Sequence, residues 1–304
     1  MEFFRKTTCI DFMRLRKHSL VISMLLLVFS VGSIMHNGLR LGLDFTGGTQ
    51  VELHFPNIVE TADIRQSLEA NNEPEVQVQS YGTARDILLK FQKINKNQDE
   101  FKQSLLKIFP NVEIRRIDIV GPQIGEELLN DGMLAVFLSV IATMAYIAIR
   151  FEYRFAISAA LSLIHDPVLI LGIFAFFKLE FNLISLAALL TILGYSLNDT
   201  IVVYDRIREA FKIYPEKKTF DIVNLSINQT LSRTIMTSGL TLMVVLALYI
   251  WGGPTLSGFA LALIIGILVG TYSSIYIAGG FAVALGLSRE TLIKPKKRSL
   301  AGTV

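Results

Sequence analysis

Charge is scarce in this sequence. Only 18% of its 304 residues are Asp, Glu, Lys or Arg, against about 25% in a soluble domain of this length. With 52% hydrophobic residues and a mean hydropathy of +0.49, that deficit excludes an ordinary soluble globule and points to membrane spans. Cysteine is nearly absent. Cys9 stands alone, so no disulfide can close within the chain. The H-E-x-x-H pattern of zinc proteases is missing, since His165-Asp166 does not match it. "GYSLN" at 194–198 lacks the second glycine of a G-x-S-x-G nucleophile elbow. The net charge of +3 is small, and no nucleic-acid partner is expected. How the charge is distributed is more informative than its sum.

A helix needs about 20 mainly apolar residues to cross a bilayer. Six stretches qualify: 19–36, 128–149, 155–177, 181–204, 235–251 and 256–287. The expected class is a polytopic α-helical membrane protein with one long polar segment, 37–127, between its first and second spans. The first span has a basic flank (Arg14, Arg16, Lys17) but no A-x-A-like cleavage site, so it reads as an uncleaved anchor.

Lysine and arginine in short loops set orientation. The head, 1–18, holds five of them. Arg150 and Arg154 flank the turn after span two, and 205–234 carries Arg206, Arg208, Lys212, Lys217, Lys218 and Arg233. The tail, 288–304, adds Arg289, Lys294, Lys296, Lys297 and Arg298. The opposite side has Lys178 and an uncharged "GGPTLSG". Both termini are therefore expected in the cytoplasm and 37–127 across the membrane, which suits a bacterial inner membrane with a periplasmic domain. In 205–234, Phe220, Ile222, Val223, Ile227 and Leu231 recur at helical spacing, so a short helix on the membrane face is expected there.

Segment 37–127 has a pattern of its own. "TQVELHF", "EVQVQSYG", "RDILLKFQK" and "VEIRRIDIV" alternate as strands do. "VETADIRQSLEAN" and "QDEFKQSLLKIF" have helical spacing, with a polar break at 95–99 before the second. The order β-α-β-β-α-β is that of a ferredoxin-like domain. It contains no nucleotide loop, paired Cys-x-x-Cys or metal spacing, which leaves docking or substrate contact as its expected work.

Chemistry is expected inside the spans. A central Asp costs about 2.5–3.5 kcal/mol to insert, so it tends to face a bundle interior or a wet cavity. Asp199 follows eighteen uncharged residues on span four, beside Asn198 and after Gly194 and Ser196. Asp166 lies near mid-membrane in "LIHDPVLI", between His165 and a helix-kinking Pro167. Burial favours the protonated form of a carboxyl and a nearby cation the ionised form. Asp199 alternating between a proton and Arg233, which leads into span five, is thus one reading of a relay with Asp166 and His165. Structural readings stay open: an interfacial carboxylate, a kinked hydrogen-bonded His-Asp pair, and a positive flank. Gly194 favours close helix packing, and Gly266 and Gly270 form a G-x-x-x-G contact in span six.

Four stretches together resemble the SecF family of the bacterial Sec export machinery: "DFMRLRK" before span one, "GLDFTGG" at 42–48, "GYSLNDTIVVYDRIRE", and "TLSRTIMTSG". The resemblance covers essentially the whole chain. It implies half of an RND-type architecture, with SecD as the other half, and association with YajC and SecYEG. It implies use of the proton-motive force to help preproteins finish crossing, and no enzymatic activity. The family's functional intramembrane Asp and Arg match Asp199 and Arg233, and its span-three "HD" matches His165-Asp166. Pro167 stands where the family has an aliphatic residue. Asp44, Phe45, Thr46, Gly47 and Gly48 form the family motif, read either as a joint transmitting motion to the outer domain or as a rigid turn. No cofactor or metal is expected, and Na+ stays open as an alternative coupling ion.

Two other classes compete. A half-size RND-type exporter of small molecules or lipids shares the span plan, but its outer domain would be small. An intramembrane aspartyl protease would need Asp166 and Asp199 to form a close pair sharing a proton.

Overall fold

The computed structural model describes residues 8–71, 76–91 and 98–292. Arg5, Lys6, Asn95 to Asn97 and the tail residues Lys294, Lys296, Lys297 and Arg298 lie outside the described residues. Among those described, six helices are long and apolar enough to cross a membrane. They are α1 (Phe12–Asn37), α5 (Pro122–Arg150), α6 (Tyr153–Phe176), α7 (Leu183–Ile213), α8 (Thr219–Trp251) and a last span running through α9 (Gly253–Tyr272), a π-helical segment (Ser273–Ala278) and α10 (Gly279–Ala284). A short α11 (Arg289–Leu292) follows.

Local chemistry sets the helix starts. The Asp11 carboxylate accepts from Arg14 N–H at 3.1 Å, and Asn182 caps α7 by accepting from Ser185 N–H at 2.9 Å. Pro122 opens α5, where its missing N–H costs nothing. Pro167 sits inside α6, which runs unbroken through it. Its ring leaves the Leu163 carbonyl without the usual donor.

The apolar windows of α6, α7 and α9–α10 are half or more buried, whereas those of α1, α5 and α8 are mostly exposed. Phe137, Leu138, Ile149 and Val244 point outward, as lipid-facing residues do. Between spans, lipid supplies no hydrophobic drive, so small residues and hydrogen bonds decide the contacts. A Cβ on Gly266 would sit 2.2 Å from Ile192 Cδ1, and one on Gly172 would sit 2.2 Å from Ser30 Cβ. Gly266 and Gly270 thus press the last span onto α7 at Ile192 and Ser196.

The polar segment folds as β2 (Gly48–His54), α3 (Thr61–Ala70), β3 (Val76–Tyr81), β4 (Thr83–Phe91), α4 (Gln98–Ile108) and β5 (Glu113–Val120). The sheet order is β3-β4-β2-β5, and every pairing is antiparallel. Val51, Leu53, Ile87 and Leu89 bury one face against Ile64, Leu68, Phe101 and Leu105 of the helices. Burying each such side chain contributes about 1.5–3 kcal/mol. The other face carries Gln50, Glu52, Lys90, Arg116 and Asp118, and looks across a cavity at the ends of the spans.

Two sequence expectations are corrected. The stretch 205–234 is not a loop with a separate surface helix. α7 runs on to Ile213, and α8 begins at Thr219 and continues into the span. No proline or glycine interrupts α8 before Gly239. Ile222, Val223, Ile227 and Leu231 bury against Val203, Ile207 and Phe211 of α7 and Phe12 and Met13 of α1, not against lipid. Gly194 is not a packing glycine within this chain. A Cβ there would meet nothing within 4 Å, because the residue lies on the exposed side of α7, away from the last span.

Candidate functional site

Asp166 is 1% exposed and fully engaged. Its Oδ2 accepts from Ser196 Oγ of α7 at 2.5 Å and from Ser273 Oγ, at the start of the π-helical segment, at 2.8 Å. Its Oδ1 lies 2.9 Å from His165 Nδ1. Three spans therefore meet at one carboxylate. The π-helical segment fits this role, since such segments are frequent at functional sites.

Asp199 is 4% exposed, on the same helix as Ser196 and one turn further along. Ser238 of α8 donates to its Oδ2 over a long 3.5 Å and also lies 2.9 Å from Thr271 Oγ1 of the last span. Among the described residues, Asp199 is thus buried with one weak hydroxyl partner, whereas Asp166 has two close ones. A loosely held carboxyl can exchange a proton at little structural cost. Asp166 instead ties three spans together through its close partners.

Arg233 is exposed on α8 and makes no ion pair within 4 Å among the described residues. The two aspartates do not share a hydrogen bond; each meets its own hydroxyls. The close carboxyl pair that an aspartyl protease needs is not formed.

A second cluster lies at the neck between α1 and the sheet. β1 (Arg40–Leu41) pairs in parallel with β6 (Glu180–Phe181), just before α7. The single turn α2 (Leu43–Thr46) follows, and Asp44 Oδ2 accepts from Leu183 N–H, the first residue of α7, at 3.0 Å. That places a carboxylate on the positive end of the helix. Phe45 stacks on Phe181 with ring centres 6.2 Å apart. Thr46 Oγ1 turns back to the Gly42 carbonyl at 3.2 Å. Gly47 has φ 71° and lies so close to α5 that a Cβ would be 2.8 Å from Pro122 Cα. Gly48, at φ 138°, opens β2. The motif is therefore wedged between the starts of spans two and four.

Sequence reasoning found the acidic and glycine positions and singled out Ser196, but missed Ser238, Thr271 and Ser273. Serines abound in these spans, and only the fold shows which of them meet a carboxylate. It also missed the ion pair between Lys90 of β4 and Glu180.

Fold and site define a multi-pass helical membrane protein with buried carboxylates and an α+β domain anchored on its spans. Residues 100–288 match the family model "Protein export membrane protein SecD/SecF, C-terminal", and residues 32–55 match the "SecD/SecF GG Motif". The protein translocase subunit SecF of Vibrio alginolyticus is 42% identical, over 97% of this chain and 96% of its own. That of Pseudomonas aeruginosa is 38% identical, over 96% and 97% respectively. The crystal structure of SecDF, a translocon-associated membrane protein from Thermus thermophilus, superposes with a TM-score of 0.83 at 37% identity. That match covers 93% of this chain but only 39% of the SecDF chain. The chain belongs to the SecD/SecF family of protein export membrane proteins.

Proposed function

We propose that this chain is the SecF-type accessory subunit of a Sec preprotein translocase, using the proton-motive force together with a SecD-type chain. The observation that carries the reading is the double duty of α7. Its first turn is capped by Asp44 of the neck, and sixteen residues later it carries the buried Asp199. At 1.5 Å per residue that is about 24 Å of continuous helix between a proton-exchanging group and the base of the extramembrane domain. One charge crossing about 100 mV supplies about 2.3 kcal/mol, enough to shift a conformational equilibrium of a few kcal/mol.

In this reading Asp199 alternates between a proton and Arg233 as its partner. Asp166 and His165 hold spans three, four and six in register around it. The sheet order and two crossing helices support a ferredoxin-like domain. The loop charges support a periplasmic position for that domain and cytoplasmic termini in an inner-membrane protein. Thr191, Gly194, Asn198 and Arg233 form an exposed, small and polar stripe on α7 and α8, unsuited to lipid. We assign that stripe to the helices of the SecD-type partner. SecYEG, YajC and preproteins complete the assembly.

Asp199→Asn tests the reading. Release of a presecretory protein from cells that depend on this chain should slow markedly, with drug tolerance unchanged. Normal export with lost drug efflux would favour a half-size exporter. Replacing Na+ in the medium without effect identifies the proton as the coupling ion.

A further inference from the structure

The extramembrane domain is held to the bundle in two different ways. On one side both chain connections leave together. Gly48 of β2 pairs with Val120 of β5, and Gly121 leads at once into α5. There the neck is wedged by Gly47 on Pro122, and a Cβ on Gly125 would be 2.8 Å from the Phe45 carbonyl oxygen. The tie to α7 is partly backbone: β1 with β6, and Gly42 N–H to the Phe181 carbonyl at 2.9 Å. On the other side are β4 and β3, further along the sheet. They reach the neck strand β6 and the last span through side chains. Lys90 pairs with Glu180, Tyr81 Oη meets Thr255 Oγ1, and a Cβ on Gly82 would lie 3.8 Å from Pro254. Between the two sides lies a cavity of about 500 Å³, roofed by Gln50 and Glu52 and floored by Asn182 and Gly258.

Backbone pairing and wedged glycines make a tie that is costly to break. The buried Lys90 and half-buried Glu180 line the polar cavity, so their ion pair can part only as the cavity opens and water solvates the freed ammonium, together with the exposed Tyr81–Thr255 hydroxyl contact. We infer that Lys90 and Glu180 form a releasable clasp. The domain pivots about the Gly48–Gly121 corner, opening the cavity as the clasp parts, while the neck stays fixed to α7. This rests on the proposed export function and names the moving contact within it.

The test uses Lys90→Cys/Glu180→Cys in a Cys9→Ser background, in spheroplasts that export through this chain and its partner. A short bis-maleimide should reduce export to the level of spheroplasts lacking the chain, whereas a monofunctional maleimide should leave it unchanged. Asp199→Asn runs in parallel. If the bridged protein exports at the unbridged rate while Asp199→Asn slows export, the clasp is refuted and the export reading stands. If neither slows export, the export reading falls and takes the clasp with it. If the cysteine pair fails to accumulate, Gln50→Cys decides the matter. An impermeant maleimide should label it several-fold faster in energised spheroplasts than after a protonophore, and equal rates refute the pivot.

Discussion

Ser196 Oγ donates to Asp166 Oδ2 at 2.5 Å, three residues before Asp199 on the same helix. One helix thus carries one intramembrane carboxylate and anchors another. The two aspartates are held differently: Asp166 by two close hydroxyl bonds, Asp199 by one long one.

That contrast predicts different mutational costs. Hydrogen bonds between spans average about 0.6 kcal/mol and reach about 1.7. Ser196→Ala should cost about 1 kcal/mol or more. Ser273→Ala should cost less, since that hydroxyl also leans on the Gly270 carbonyl at 3.1 Å. Asp166→Leu should exceed both, because it leaves two hydroxyls and His165 without their acceptor. Thermal unfolding of the purified chain in detergent measures all three.

Glycine substitutions separate packing from exposure. Gly266→Ala forces a methyl against Ile192 and should cost about 1–3 kcal/mol, the usual range for overpacking. Gly194→Ala should leave melting within about 0.5 kcal/mol of the parent, as a surface change does.

The polar stripe on α7 and α8 is expected to bind a partner. Gly194→Leu and Asn198→Leu should leave the melting of the isolated chain unchanged. Both should weaken co-purification with a SecD-type chain. Unchanged recovery of that chain would move the interface elsewhere.

Much of this was legible in the residues. Strand alternation and helical spacing in 48–120 place four strands and two helices correctly, because one face of each element must be apolar. The span segments followed from length and hydropathy. The helix ends did not, since α7 and α8 continue past the hydrophobic limit on a hairpin whose apolar face packs internally. Gly194 misled for a related reason: small residues mark close approach, but not which neighbour approaches. Asp44 stood out as part of a motif, but its partner Leu183 lies 139 positions away, and only tertiary structure joins them.

The extramembrane domain should lose stability in acid. Hydrogen bonds from Thr83 and His54, with the charge of Arg115 3.0 Å away, hold the Asp86 carboxyl below its usual 3.8. A depressed folded value contributes stability that is fully present above pH 3.8 and is lost as pH falls through the folded value. Amide protection in β2 and β4, measured relative to the intrinsic exchange rate at each pH, should therefore fall as pH drops below 3.8. Asp86→Asn should abolish that acid-dependent part while lowering stability at neutral pH.

Coupling between proton movement and export is tested most directly at Asp199. In inverted vesicles holding the translocase with this chain and its partner, an imposed proton gradient should accelerate completion of preprotein transport. Asp199→Asn should remove that acceleration while leaving assembly with the partner intact. A variant that still responds fully to the gradient would contradict the assignment of Asp199 as the proton-carrying group.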